Sequence, residues 1–390
     1  MSVTSPAGFA AAGVACGIKA SGAPDLALVV TDDGVPVPAA GVFTSNLATA
    51  APVQVSRRHL ASSAGRAAAV VLSSGNANAA TGAQGLADAT RMCALVGEGI
   101  GAATEEVLVC QTGLIGIPLP MACLERGIPS LVAARAGGTA AGADAATAIM
   151  TTDTFAKQVT VSGGGFRVGA MAKGAAMLAP NMATMLAVLT TDAQCDPRVL
   201  RDALAGAVAS TFNRMTVDGC TSTNDTVLVL ASGRAGVSPT AHALAGALEE
   251  ACGALAAMMA EDAEGATKVA HVLVTGARDD QEAHVAARKV ADSNLVKCSL
   301  NGADPYWGRV VSELGSAGVG FDPDRVSVAY GGVVVCRDGV AAAHDADAVS
   351  AHMAGAAVEL ACDLGLGPGR AVVLTCDLGH GYIDENRTTS

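Results

Sequence analysis

Short valine-rich runs recur along the whole chain, and this repetition constrains the fold more than any other feature. Each run is bounded by Gly, Asp or Asn, as β-strands tend to be. The predicted strands are LALVV (26–30), AAAVVLSS (67–74), VLVCQTG (107–113), TVLVLASG (226–233), VAHVLVTGA (269–277), RVSVAYGGVVVCRDG (325–339) and RAVVLTCDLG (370–379). The 325–339 run turns at Gly331-Gly332, which predicts a hairpin and therefore some antiparallel sheet.

Helical patterns lie between these strands. The predicted helices cover residues 85–101, 238–265, 279–293 and 345–365. Because strands and helices are mixed throughout, the predicted class is α/β or α+β. A modest change of composition near Ala277 predicts a boundary between a main domain over 1–277 and a C-terminal α/β domain over 278–390.

The composition limits the functions that the chain can serve. Its 390 residues are 51% hydrophobic and only 3% aromatic, so a large core must be built from small aliphatic side chains. A formal charge of −12 argues against a nucleic-acid partner. The 11 cysteines include no CxxC pair, which suits a reducing cytosol better than a disulfide framework or a zinc site. We find neither a signal peptide nor about 18 uninterrupted apolar residues, so we expect a cytoplasmic protein without a membrane span.

The common signatures of metal and nucleotide chemistry are absent from the sequence. There is no HExxH, GxSxG or GxxxxGK[ST] pattern, so we expect no metal and no cofactor. What remains are Thr-, Gly- and Asn-rich segments at strand ends, where backbone N–H groups can face a developing oxyanion. These are SSGNANAATG (73–82), QTGLIG (111–116), IMTTDT (149–154), MAKGAAM (171–177), CTSTNDT (220–226), EDAEGATK (261–268), NGADPYWGR (301–309) and DENRTTS (384–390). Together they indicate acyl chemistry; Asn224 within them suits either a cleft or a plain turn.

Thr184 lies in the apolar stretch PNMATMLAVLTTDA (180–193) and has two interpretations. The first interpretation is an ordinary half-buried strand residue, and the apolar residues around Thr184, taken alone, favour it. Thr184 also suits an N-terminal nucleophile, released when its hydroxyl attacks the carbonyl of Ala183 and water opens the resulting ester. The new α-amino group, with an ordinary pKa of about 7.7–8.0, then lies beside the hydroxyl and serves as its base.

These segments together resemble the ornithine acetyltransferase (glutamate N-acetyltransferase) family of arginine biosynthesis. The resemblance runs from GIKASGAPDLALV to GYIDEN and includes AIMTTDT, MAKGAAMLAPNMATMLAVLTTDA, DAEGATK and DPYWGR, in the family's order. It implies self-cleavage into fragments 1–183 and 184–390. It also implies ping-pong transfer of acetyl from N2-acetylornithine to glutamate through an acetyl-enzyme on Thr184, with acetyl-CoA as a second donor in some members.

The resemblance also implies roles for individual residues. Thr184 is the nucleophile, the cleavage site is Ala183–Thr184, and Thr112 and Gly113 form the oxyanion hole. The implied substrate-binding residues are Thr151, Thr152, Lys173, Thr184, Glu264, Asn386 and Ser390. The implied fold is a stacked-sheet α/β sandwich, similar in layout to N-terminal nucleophile hydrolases, with a smaller C-terminal α/β portion. The implied assembly is an α2β2 heterotetramer.

Four departures from the family pattern and two rival functions stay open. Ala176 stands where a glycine is usual, Tyr306 where an asparagine is usual and Gln111 where a serine is usual, and the tail ending in Ser390 is short. An amidase or aminopeptidase with the same nucleophile would transfer the acyl group to water. A non-catalytic amino-acid-binding protein would remain uncut.

Overall fold

The computed structural model describes residues 1–178 and 185–387. The strands are β1 (Phe9–Val14), β2 (Leu26–Thr31), β3 (Val37–Phe43), β4 (Arg66–Ala67), β5 (Ala69–Asn76), β6 (Val107–Leu114), β7 (Lys157–Gly163), β8 (Phe166–Lys173), β9 (Leu186–Thr191), β10 (Thr226–Ala231), β11 (Val269–Ala277), β12 (Ser327–Tyr330), β13 (Val333–Arg337), β14 (Val340–Ala341), β15 (Ala357–Asp363) and β16 (Gly369–Cys376). The helices are α1 (Ala51–Ser62), α2 (Gly82–Ile100), α3 (Met121–Ala134), α4 (Thr139–Ala148), α5 (Pro197–Ser210), α6 (Ala241–Glu261), α7 (Asp280–Ala291), α8 (Asn294–Asn301), α9 (Trp307–Gly315), α10 (Ala346–Met353) and α11 (His380–Glu385).

The chain divides into two units. The first contains Met1–Asn213 and Thr221–Met259, and the second contains Arg214–Cys220 and Ala260–Thr389. This division lies earlier than the boundary at 277/278 that composition predicts, because β11 pairs with β15 and β16 in a sheet of the second unit.

Two sheets face each other in the first unit. One has the order β1-β2-β5-β6, and the other has the order β4-β3-β10-β9-β8-β7. Alternate residues of β2 enter two different cores: Ala27 and Val29 pack between the sheets with Met171 and Val188. Their neighbours Leu26 and Leu28 pack with side chains of helices α2 and α3 on the other face. Both faces of β2 are therefore buried, which explains its unbroken apolar sequence. The predicted stacked-sheet α/β class is confirmed.

The second unit is built on one six-stranded mixed sheet of order β14-β13-β12-β15-β11-β16. Alanines and valines of α7 pack with alternate residues of β11, β15 and β16 in a single core. Strands β12 and β13 form the antiparallel hairpin predicted at Gly331-Gly332, where φ is 55° and 80°. Positive φ at both positions suits the turn, since glycine adopts this conformation without steric cost.

The helix predicted over residues 345–365 is wrong in its second half. The helix α10 ends at Met353, and residues Ala357–Asp363 form the strand β15. Burial alternates along β15, so its side chains follow a period of two that the small apolar residues obscure in the sequence.

Within the described chain, α6 is long and apolar enough to cross a membrane by length and composition alone. However, 44% of its most apolar window is buried inside the molecule. The buried residues include Leu244, Leu248, Cys252, Leu255 and Met259, which recur at helical spacing along one face. This pattern is also typical of a core helix.

Candidate active site

Strand ends of both sheets in the first unit meet at one edge. In the register of the six-stranded sheet, Lys173 of β8 lies opposite Leu186 of β9, and Leu186 lies opposite Thr226 of β10. Met185, the residue that follows Thr184 in the sequence, is therefore at the same edge as Lys173 and Asp225. This edge therefore has the charged residues Lys173 and Asp225 on either side of the strand that begins just after Thr184.

A hydrogen bond joins the two sheets at this edge. The Nζ of Lys173 donates to Oγ1 of Thr112, which lies near the end of β6, at 3.3 Å. Both side chains are buried, with exposed fractions of 3% and 2%. Because the threonine oxygen accepts from lysine, its own hydroxyl proton is free to point elsewhere. The pair thus provides a polarised O–H donor beside a fixed positive charge.

Gly113 follows Thr112 and tolerates no side chain. Its φ is +131°, and a Cβ built on it would lie 2.2 Å from the carbonyl carbon of Gly75 and 2.4 Å from the nitrogen of Asn76. The backbone of β5 therefore leaves no room for a side chain at this point of β6. The Gly113 amide and the Thr112 hydroxyl are adjacent donors, as an oxyanion hole requires.

Gln111 faces away from that pair and is fully buried. Its side chain accepts from the Nδ2 of Asn78 at 2.8 Å and donates to Oγ of Ser73 at 3.2 Å. Its backbone carbonyl accepts from the Nδ2 of Asn224 at 2.9 Å, and Asn224 also donates to the carbonyl of Ala77 at 2.6 Å. The glutamine thus belongs to a polar network behind β6, and Asn224 supports that strand.

Asp153 is the centre of a buried hydrogen-bond cluster. Its Oδ1 accepts from Nζ of Lys157 and from the amide of Gly174, both at 2.7 Å, and its Oδ2 accepts from the amide of Thr151 at 3.0 Å. Burial alone would raise the pKa of Asp153, but the charges of Lys173 and Lys157 and the hydrogen bonds lower it to about 2. One carboxylate therefore ties the loop that contains Thr151 to the residue after Lys173.

The same loop is held from its other side by Lys19. The lysine Nζ donates to the carbonyls of Met150 at 2.8 Å and of Pro24 at 2.7 Å. Thr151, which follows Met150, is half-buried and Thr152 is exposed. The predicted pair therefore sits on a turn whose backbone is anchored at both ends.

Asp225 lies at the start of β10 and is completely buried. Its Oδ1 accepts from the amide of Met185 at 3.0 Å. Sequence reasoning missed Asp153, Lys19 and Asp225 as site residues. Both aspartates lie in the Thr-, Gly- and Asn-rich segments IMTTDT and CTSTNDT, but nothing in their spacing shows which backbone amides they bind.

Glu264 and Asn386 come together in the second unit. The Nδ2 of Asn386 donates to Oε2 of Glu264 at 2.8 Å and to the carbonyl of Tyr382 at 2.9 Å. Glu264 is largely buried in the turn that follows α6. Residues 122 positions apart thus form one carboxylate–amide pair.

Ala183, Thr184 and Ser390 lie outside the described residues, so the roles predicted for them stay predictions. Ala176 is not among the residues of positive φ, whereas Met177 next to it has φ 55°. The backbone strain near Lys173 therefore falls on Met177. Tyr306 is 57% exposed and stacks under Arg309 in the second unit, which gives the substituted position a surface role.

Within residues 1–178 and 185–387, no three His, Cys, Asp or Glu side chains are arranged to hold a metal ion.

Comparison with known proteins gives matches over nearly the whole chain. The ArgJ family model matches residues 10–388. The arginine biosynthesis bifunctional protein ArgJ of Mycolicibacterium paratuberculosis is 50% identical over 396 residues, covering 100% of this chain and 96% of that protein. The protein of the same name from Streptomyces avermitilis is 46% identical over 391 residues and covers 100% of both chains. A solved structure of ornithine acetyltransferase with ornithine, from Mycobacterium tuberculosis, is 46% identical with a TM-score of 0.44, covering 47% of this chain and 96% of that one.

Proposed function

Since the chain belongs to the ArgJ family, we propose that it is an acetyltransferase of arginine biosynthesis that moves acetyl from N2-acetylornithine to glutamate through an acetyl-enzyme on Thr184. The family membership confirms the resemblance drawn from the motifs. The observation that most directly supports the chemistry is the hydrogen bond from Lys173 to Thr112 beside Gly113. This hydrogen bond lies at the edge of the six-stranded sheet where β9 begins, and Met185, the residue after Thr184, immediately precedes β9.

Maturation is the first step of the proposed reaction. The Oγ of Thr184 bonds to the carbonyl carbon of Ala183, the peptide C–N bond breaks, and the nitrogen takes the hydroxyl proton. Water then hydrolyses the ester, which leaves a carboxylate on Ala183 and a free amine on Thr184. The reaction consumes one water and needs no cofactor.

Acetyl transfer then uses the new chain end. The α-amine of Thr184 takes the Oγ proton while Oγ bonds to the acetyl carbonyl carbon of the donor. The oxyanion accepts from the hydroxyl of Thr112 and the amide of Gly113, and its collapse releases ornithine, whose amine receives the proton. Glutamate's amine attacks the acetyl-enzyme in the reverse sequence, which restores Thr184 and yields N-acetylglutamate.

Charge complementarity suggests how substrates bind. Ornithine and glutamate both have an α-carboxylate, which Lys173 attracts as a point charge, and Thr151 and Thr152 supply hydroxyl donors. The δ-ammonium of ornithine needs an anion, and we assign that role to Glu264 with Asn386 as its hydrogen-bond partner. The same proposal includes the use of acetyl-CoA as a second acetyl donor, a contribution of Ser390 to substrate binding, a cytoplasmic location and an α2β2 assembly of the fragments.

The test combines intact mass under denaturing conditions with an acetyl-transfer assay. The wild-type chain should give two species, ending at Ala183 and beginning at Thr184. Thr184→Ser should still be cut, because it keeps a hydroxyl nucleophile. Thr184→Ala should stay full length and lose transfer by more than about 10³-fold.

The assay also separates transfer from hydrolysis. With acetylornithine supplied, a transferase releases ornithine in proportion to added glutamate and forms N-acetylglutamate. Equal release with and without glutamate would identify the amidase alternative. A Thr184→Ala protein that is still cut and still transfers acetyl would contradict the proposal.

A further inference from the structure

Asp225 has one satisfied and one unsatisfied oxygen. The Oδ1 accepts from the Met185 amide at 3.0 Å, whereas Oδ2, although completely buried, has no hydrogen-bond partner in the described parts of the chain. A buried polar atom without a partner is costly and rare in native proteins, and it points to a group that is not yet in place.

Covalent geometry limits what that group can be. The nitrogen of Thr184 is separated from the nitrogen of Met185 by three bonds of about 1.3–1.5 Å each, so the two atoms are always close neighbours. The chain already shows how one carboxylate binds two successive nitrogens. The Oδ1 of Asp25 accepts from the amide of Cys16 at 2.7 Å, and its Oδ2 accepts from that of Gly17 at 3.1 Å. A carboxylate that binds the Met185 amide with one oxygen can therefore bind the nitrogen of the preceding residue with the other.

The electrostatics of Asp225 also favour a cationic partner. Burial raises the pKa of its carboxyl well above the ordinary value, against the opposing effects of the Met185 amide, the Ser222 hydroxyl and the charge of Lys173. The charge of Lys173 acts on it from β8, which is separated from β10 by β9. Self-cleavage creates a second positive charge, the α-ammonium of Thr184, one residue from the amide that Asp225 already binds.

We propose that Asp225 is the positioning residue of the nucleophile, and that its Oδ2 accepts a hydrogen bond from the α-amino group of Thr184 in the cut protein. This inference rests on the proposed self-cleavage at Thr184. The carboxylate holds the amine in one orientation, with its lone pair available to the threonine's own hydroxyl. Asp225 itself neither gains nor loses a proton during transfer, because the amine takes the Oγ proton and returns it to the leaving amine.

This arrangement has two opposite electrostatic effects on the pKa of the amine. A carboxylate next to an ammonium stabilises the charged form and raises the amine's pKa, while Lys173 acts in the opposite direction. Only the neutral amine can act as base, so kcat/KM should rise with pH through that pKa. Removal of the carboxylate should lower the pKa and move this acidic limb to lower pH.

The test is Asp225→Asn in the full chain. The amide resembles a protonated carboxyl in shape, and its oxygen can still accept from the Met185 amide, so the variant should fold and cut itself. We expect a kcat about 10- to 100-fold lower with KM changed less than about threefold, and an acidic limb about one pH unit lower. Asp192→Asn is the matched control, since Asp192 follows the other end of β9 and its buried carboxylate binds the amides of Ala7 and Arg167. The control should keep the wild-type kcat and pH profile.

A cut Asp225→Asn protein with the wild-type kcat and acidic limb would overturn the inference. If the variant is not cut, the α-amine of the wild-type 184–390 fragment is titrated instead, from the pH dependence of its labelling by an amine-reactive reagent. A pKa above the ordinary 7.7–8.0 supports the inference, and a value within or below that range overturns it. A wild-type chain that is uncut, or cut at another residue, overturns the proposed function itself and is seen in the intact mass before any variant is made.

Discussion

The buried carboxylate of Asp153 makes a salt bridge to Lys157 and accepts hydrogen bonds from two backbone amides. Asp153→Asn would leave the buried ammonium of Lys157 without its counter-charge and would weaken the link between Thr151 and Gly174. We expect a loss of about 3–5 kcal/mol in the free energy of unfolding and a raised KM for acetylornithine. Urea unfolding and steady-state kinetics measure the two effects.

The double variant Asp153→Asn, Lys157→Met separates these two effects. It removes both buried charges, so most of the stability should return, whereas the raised KM should persist because the carboxylate that anchors Thr151 is still missing. A KM that recovers together with stability would show that Asp153 acts only through its salt bridge.

The pH dependence of stability follows from the same carboxylate. Its pKa is about 2 in the folded chain against an ordinary 3.8, so it contributes stability that is fully present above about pH 5 and is lost as pH falls through 2. The difference in free energy of unfolding between wild type and Asp153→Asn should therefore be constant above about pH 5 and shrink below it. A difference that stays constant down to about pH 2 would contradict this.

At the scale of secondary-structure elements, the close approach of β5 and β6 excludes a side chain at residue 113. Gly113→Ala would place a methyl group 2.2 Å from the backbone of Gly75, at a φ of +131° that alanine rarely adopts. The strands would have to separate, which would displace the Thr112 hydroxyl from Lys173. We expect transfer to fall by more than about 10²-fold, the loss typical of a missing oxyanion donor.

Gly116→Ala is the control within the same segment. Gly116 also has positive φ, +84°, but a Cβ there would have no atom within 4 Å. It should cost about 1 kcal/mol of stability from backbone strain and leave kcat near the wild-type value. Equal losses of activity in both variants would mean that strain, and not strand separation, is responsible.

Elements with a clear hydrophobic pattern were predictable from the sequence. Elements whose conformation depends on contacts with other parts of the chain were not. Runs of Val and Leu with glycine at their ends predicted β2, β6 and β11, and the Gly331-Gly332 pair predicted the β12–β13 hairpin. In contrast, β15 was predicted as helix, because alanine and leucine suit either state until neighbouring strands bury alternate residues. Lys173 and Thr112 could be singled out by resemblance, but their direct contact depends on sheet stacking that no local pattern encodes.

At the scale of the molecule, the proposed cut falls between two strands that are paired with each other. Fragment 1–183 contributes β3 and β8, and fragment 184–390 contributes β9 and β10, while the order of the sheet is β4-β3-β10-β9-β8-β7. Each fragment is thus bound to the other along two ladders, β3–β10 and β8–β9. Neither can leave without exposing strand edges and the apolar core between the sheets.

This interleaving predicts that the first unit of the cut protein unfolds as a two-chain complex. Because unfolding then releases two chains, a tenfold higher protein concentration should stabilise the folded state by about 1.4 kcal/mol and raise the urea midpoint. Uncut Thr184→Ala should show a smaller shift of its midpoint, because its unfolding can separate only the subunits of the assembly and not the two fragments. The second unit is formed only by residues after Thr184, so its transition should not depend on concentration in either protein. A first-unit midpoint that does not change with the concentration of the cut protein would contradict this prediction. Each fragment would then have to be folded by itself, although the β3–β10 and β8–β9 ladders join the two fragments.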